Sequence, residues 1–170
     1  MKFVKVEQEM LEELYQWRKD PFAVKHNPFF DHGFNKFVET MNGCSSDFNE
    51  IYSGKDIKLV LVESNEILAL VGLSQINKMM KTAEIGYQVS PHHRNKGIGT
   101  KAVNNFINMI FSKTDLRKVI ATIADGNLPS CKVVENIGFI QEGLLRKHYL
   151  VNGIETDERI YGLLRSEYEK

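Results

Sequence analysis

The chain has 170 residues, 42% of them hydrophobic and 26% charged, and its 22 Lys and Arg balance its 22 Asp and Glu. That size and composition fit one globular domain over residues 1–170 with a sizeable core and argue against disorder. Zero formal net charge gives no global field toward nucleic acid or an anionic membrane, no run approaches eighteen consecutive apolar residues, and the start MKFVKVEQEM lacks a signal-peptide stretch, so a cytoplasmic protein is expected. Cys44 and Cys131 form no C-x-x-C pair and read as reduced thiols, and neither His26 nor His32 has a partner at metal-ligand spacing, so no metal is expected.

In chain order, Phe3 to Val6 predicts a short strand, and Glu7 to Arg18 predicts an amphipathic helix with Trp17 near the core, stopped by Asp20-Pro21. PFAVKHNPFFDHG has no clean period and reads as a loop whose Phe22, Phe29 and Phe30 either fold under the domain or line a ligand-facing wall. Phe34 to Met41 suggests a second helix, and Asn42 to Asp56 a polar connection with a helical turn near Phe48 to Tyr52. Lys58 to Val62 and Ile67 to Leu73 read as an antiparallel hairpin turning at Glu63 to Asn65. Ile85, Tyr87 and Val89 alternate as a central strand, and Ile98, Ala102, Val103, Phe106, Ile107 and Ile110 recur at helical spacing. Lys118 to Ile123 is a further strand, after which Asn127 can cap a helix from Leu128 to Ile137. Phe139 to Leu150 and Ile154 to Leu164 flank Asn152-Gly153, the favoured dipeptide of a two-residue type I′ hairpin.

The most informative stretch is the basic, glycine-containing turn between the central strand and the long helix. Arg94-Asn95-Lys96-Gly97-Ile98-Gly99-Thr100 offers successive backbone N–H groups at the positive end of a helix dipole, and its two glycines have no Cβ to hold a ligand away. This arrangement suits phosphates, although a bare G-x-G is also a common strand-to-helix turn. Gly97-Ile98-Gly99-Thr100-Lys101 lacks the order of a P-loop, and no G-x-G-x-x-G follows a strand here.

Val89-Ser90-Pro91 followed by Arg94-x-x-Gly97-x-Gly99 resembles the acetyl-CoA pyrophosphate signature of the GNAT N-acetyltransferases, Gln/Arg-x-x-Gly-x-Gly/Ala. The element order resembles that family over nearly the whole chain. The resemblance implies an α/β (α+β) fold with a central mixed, mostly antiparallel sheet of about seven strands flanked by about four helices. The run Asn127-x-x-Ser130, Glu135-Asn-Ile-Gly-Phe139, Glu142-Gly143, Leu145-Arg146, Asn152-Gly153 and Asp157 is similar to the branch of ribosomal-protein N-terminal acetyltransferases and their relatives. That branch also includes enzymes for polyamines, amino sugars and antibiotics.

What the resemblance implies for the site follows residue by residue. Acetyl-CoA is the expected co-substrate, its pyrophosphate held by Arg94, Asn95, Lys96, Gly97, Ile98, Gly99 and Thr100. Its pantetheine arm is expected in a gap where the fourth strand bulges away from the fifth, against the backbone of Gln88 and Val89 and the side chain of Asn127. Asn127 is equally a helix cap, and it can do both. Glu84 shares a strand face with Gly86 and Gln88 and is the first choice for a base acting through water; its plain alternative is an exposed strand carboxylate. The tyrosine that some relatives place four residues before Gly138-Phe139 is Val134 here, which leaves Ser130 as the partner for the leaving thiolate, or as a helix-turn serine without chemistry. Some relatives carry a glutamate where Tyr149 stands, so Tyr149 is a candidate for the acceptor end.

The expected activity is acetyl transfer to a primary amine in a direct ternary complex, because Cys131 has no basic partner in sequence to activate it for a covalent route. A protein N-terminal α-amine is the first expected acceptor, and a polyamine, amino sugar or aminoglycoside the alternative. A non-catalytic acyl-CoA sensor is the rival of another class, favoured by the missing tyrosine. Neither nucleic acid nor membrane is an expected partner, and the resemblance allows a homodimer.

Overall fold

The computed structural model describes residues 1–27 and 31–168. The reading of Phe29 and Phe30 therefore lies outside the described residues. Seven strands form one sheet in the order β1-β2-β3-β4-β5-β7-β6, namely β1 Lys2–Val4, β2 Ile57–Glu63, β3 Glu66–Asn77, β4 Thr82–Val89, β5 Lys118–Ala124, β6 Ile140–Val151 and β7 Ile154–Leu164. Every neighbouring pair is antiparallel except β4 with β5. The helices are α1 Leu11–Arg18, α2 Pro21–His26, α3 Phe34–Asn42, α4 Ile98–Lys113, α5 Leu128–Glu135 and a short α6 Arg165–Tyr168.

The periodicities of the sequence explain which face each element buries. Phe106, Ile107 and Ile110 of α4 are fully buried against Val71, Leu73, Ile85 and Val119 of the sheet, with Val134 of α5 completing the layer. At about 1.5–3 kcal/mol for each large side chain removed from water, this layer is the main anchor of α4. On the opposite face, Leu11, Leu14 and Trp17 of α1 and Phe37 and Met41 of α3 pack on Val60 and Ile67. Both predicted hairpins form: Ser64 and Asn65 have φ of 48° and 65°, and Asn152 and Gly153 have φ of 51° and 78°. Positive φ at both central residues is the type I′ twist that matches the flanking strands.

The segment read as an unstructured loop departs from expectation. Pro21–His26 is helical because Asp20 caps it, its Oδ2 accepting from the N–H groups of Phe22 at 3.0 Å and Ala23 at 3.2 Å. Pro21 occupies the first helical position, where a missing N–H costs nothing. The Asp20-Pro21 pair, read as a stop, is therefore also a start. Phe48–Glu50 forms the expected helical turn, with Asp47 as its cap.

Candidate active site

β4 and β5 are paired only from Thr82 with Lys118 to Glu84 with Ile120. Beyond Glu84 the two strands part, while β4 keeps an unbroken register with β3 from Ser74–Glu84 to Ala69–Val89. The expected gap is there, but it arises from splaying of the parallel pair rather than from a bulge in β4. A cavity of about 670 Å³ fills it, bounded by β4, β5, the N-terminus of α4, the start of α5, α2 and Tyr149 of β6.

The α4 end of this cavity is made of backbone. Gly97 is the N-cap residue with φ 73°, a left-handed conformation that favours glycine, and no side chain caps the first turn of α4. A Cβ at Gly97 would meet nothing within 4 Å, so the space beside it is open. Gly99 differs: an added Cβ would lie 3.2 Å from Val133 Cγ2 and 3.4 Å from Val89 Cγ2. Its small size lets α4 approach β4 and α5 closely while it lines the cavity. Arg94, Asn95, Gly97, Ile98, Gly99 and Thr100 all line the cavity. Lys96 is exposed and its Nζ donates to the His92 carbonyl at 3.0 Å. The Arg94 guanidinium bonds Asp20 at 2.7 Å and sits over the Phe22 ring at 4.8 Å, so the residue expected at phosphate also braces α2.

Along the splayed strands the side chains alternate as predicted. Gly86 borders open space, since a Cβ there meets nothing within 4 Å. Gln88 donates its Nε2 hydrogen to the Trp17 carbonyl at 2.7 Å, tying β4 to the end of α1. Glu84 is not a loose surface carboxylate. Its Oε1 accepts from Thr122 Oγ1 at 2.6 Å and its Oε2 from Gln75 Nε2 at 2.9 Å, charge-assisted bonds that fix its rotamer at the cavity wall.

Thr122 in turn lies 3.3 Å from the Tyr149 hydroxyl. Burial, a hydrogen bond with Glu158 and the nearby Glu84 charge push the Tyr149 phenol up to about 12. Glu158 is a 4% exposed carboxylate with His148 Nε2 at 3.4 Å. Tyr149 reaches the cavity because β6 is bulged: Leu145 pairs with Glu158 and Tyr149 with Thr156, so β6 advances twice as far as β7 between them. Lys147 at φ 52° sits in the bulge, its N–H bonded to Asp157 Oδ1 at 2.7 Å. The hairpin beyond touches α2, where Asn152 Nδ2 donates to the Val24 carbonyl at 3.1 Å.

At the α5 side, Asn127 is buried and caps its helix, Oδ1 accepting from Ser130 N–H at 3.3 Å. Ser130 Oγ lies 2.6 Å from the Tyr87 hydroxyl, which is also 3.1 Å from the Ser130 carbonyl oxygen. Burial pushes the Tyr87 phenol up to about 12. The side-chain roles of Tyr87, Thr122, Gln75 and Glu158 were not read from sequence. Tyr87 carried a signal only in hindsight: a hydroxyl on an otherwise apolar inward face needs a partner when buried. Cys131 is buried, and among the described residues no group of three or more His, Cys, Asp or Glu gathers as a metal site. No described helix is long and apolar enough to cross a membrane.

An uncapped helix N-terminus opening into a cleft between two splayed parallel strands, with a fixed carboxylate beyond, fits an extended phosphate-bearing donor and a second substrate meeting it. The family pattern for an acetyltransferase (GNAT) domain matches residues 1–140. An uncharacterized N-acetyltransferase, p20 of Bacillus licheniformis, is 28% identical over 96% of this chain and 92% of its own length. The ribosomal-protein-serine acetyltransferase of Escherichia coli is 28% identical over 60% of this chain and 57% of its own length. The fold of the Vibrio cholerae spermidine N-acetyltransferase, solved with CoA and spermine, matches with a TM-score of 0.85 at 21% identity, covering 99% of this chain and 98% of that one. The family match spans most of the chain, and with the cleft just described it makes the protein a member of the GNAT family, an acetyl-CoA-dependent N-acetyltransferase.

Proposed function

We propose that the chain transfers acetyl from acetyl-CoA to a primary amine by direct attack in a ternary complex, with a protein N-terminal α-amine as acceptor. The observation that carries this reading is the tethered Glu84 beside the open space at Gly86, within the gap between β4 and β5. Acetyl-CoA brings an activated acetyl thioester. The residues at the α4 entrance, Arg94 to Thr100, receive its pyrophosphate through backbone N–H groups and the helix dipole. Asn127 and the exposed backbone of Gln88 and Val89 hold the pantetheine arm, and a strand N–H facing the gap hydrogen-bonds the carbonyl oxygen as charge grows on it. Glu84 takes the amine proton through water, and Ser130 meets the sulfur as it leaves.

An α-amine with an ordinary pKa of about 8 is already partly unprotonated near neutrality, so a base acting through water suffices for it. Polyamine acetylation is the second reading. It is favoured by the negative charge near Tyr149, from Glu84 at the cavity wall and the buried Glu158 behind it, which suits a cationic chain.

The test is release of CoA thiol, with product mass as confirmation, against N-terminal peptides, spermidine, aminoglycosides and amino sugars. Turnover confined to peptides supports the first reading. Turnover confined to spermidine replaces it with the second, and binding of acetyl-CoA without any turnover removes both.

A further inference from the structure

Tyr87 and Ser130 come from strands and helices far apart in sequence, yet their hydroxyl oxygens are 2.6 Å apart inside the cleft. The phenol has one proton and two acceptors in reach, Ser130 Oγ and, at 3.1 Å, the Ser130 carbonyl oxygen. Burial holds that proton in place far above neutral pH, with the phenol at about 12. Two arrangements satisfy both hydroxyls. In one, Tyr87 donates to the carbonyl and Ser130 must spend its own proton on the phenol oxygen. In the other, Tyr87 donates to Ser130 Oγ, and the serine proton is released toward the cleft.

Only the second arrangement lets Ser130 donate to a leaving sulfur. We propose that Tyr87 is a positioning residue for this transfer, turning its O–H from the Ser130 carbonyl to Ser130 Oγ as negative charge develops on the thiolate. The inference rests on the acetyl-transfer reading above. As the amine nitrogen forms its bond to the acetyl carbon, the carbon–sulfur bond breaks and its electron pair stays on sulfur, where the Ser130 O–H hydrogen-bonds it. Neither hydroxyl loses its proton in this step. The proton shed by nitrogen passes to Glu84 through water, and the thiolate takes its proton from solvent as it departs. A tyrosinate is not formed, because its apolar surroundings disfavour the charge.

The experiment compares wild type, Tyr87→Phe, Ser130→Ala and the double variant, with acetyl-CoA as donor and an N-terminal-serine peptide and spermidine as acceptors. Phenylalanine keeps the ring, and calorimetric affinity for acetyl-CoA reports whether the cleft is intact. The expected result is a kcat lowered about tenfold by Tyr87→Phe, the scale of one hydrogen bond, with KM for acetyl-CoA unchanged. Ser130→Ala should lower kcat by at least as much, and the double variant should be no slower than Ser130→Ala. Unchanged turnover in Tyr87→Phe, or losses that multiply in the double variant, would overturn the proposal while leaving acetyl transfer standing. Unchanged turnover in Ser130→Ala would overturn it equally. A wild-type chain inactive on both acceptors removes this inference together with its acetyl-transfer premise for these two substrates.

Discussion

The two halves of the cleft are built from different materials. Around α4 the wall is backbone: a left-handed glycine, an uncapped helical turn and the open edge of a splayed strand. At the other end it is side chains gathered from four segments, Glu84 of β4, Thr122 of β5, Tyr149 of β6 and Phe22 of α2. In the function proposed above, backbone recognises what all acyl-CoA donors share, a pyrophosphate and an amide-bearing arm, and it needs only a few glycines in the right order. In the same proposal, the side chains at the other end select one acceptor among many. The halves therefore differ in how a substitution should be felt.

Gly97→Glu should break the backbone half outright. It forces a β-carbon into φ 73° and puts a carboxylate beside the phosphate entrance, and we expect acetyl-CoA affinity by calorimetry to fall more than about 100-fold. Undiminished affinity would remove Gly97 from the donor site. Glu84→Gln should spare that affinity and lower kcat by about 10²-fold, most severely at low pH where more of the amine is protonated. Equal loss at all pH values would instead mark Glu84 as structural. Thr122→Val frees one oxygen of Glu84 and leaves its Gln75 bond, so the expected loss in kcat is smaller, about 3- to 10-fold, with acetyl-CoA binding unchanged.

The smallest effect should come from Asp20→Asn. Burial alone would raise the Asp20 carboxyl, but the Arg94 bond and the amides of α2 together hold it below its ordinary value. Its contribution to stability is thus full above about pH 4, the unfolded value, and is lost as pH falls through the lower folded one. At neutral pH the variant should melt about 2–4 °C lower, and the difference should vanish in acid. A constant difference at every pH would show that the Asp20 charge is not what holds α2.

The same division decides what the sequence discloses. The long helix, both hairpins and the glycine-containing turn at the start of α4 are legible because each depends on neighbours within a few residues. α2 is also within reach of the sequence, since Asp20 before Pro21 is a cap followed by a favoured first residue, but the same pair ends α1 and so carries two meanings at once. Tyr149, Thr122 and Glu158 were not legible as a group. What brings them together is the bulge between Leu145 and Tyr149, a register offset that no local pattern specifies. Tyr87 was hidden for another reason: strand alternation predicts that it points inward, but not that Ser130 waits there.

Arg94 belongs to both halves at once, lining the α4 end of the cavity while gripping Asp20 at the start of α2. An anion that competes with Asp20 for that guanidinium changes how firmly α2 is anchored. Thermodynamic reciprocity then requires that whatever steadies or loosens α2 alters the anion's affinity by the same factor. Through one shared cation, the anion affinity at the start of α4 and the anchoring of α2 become a single coupled property of the fold.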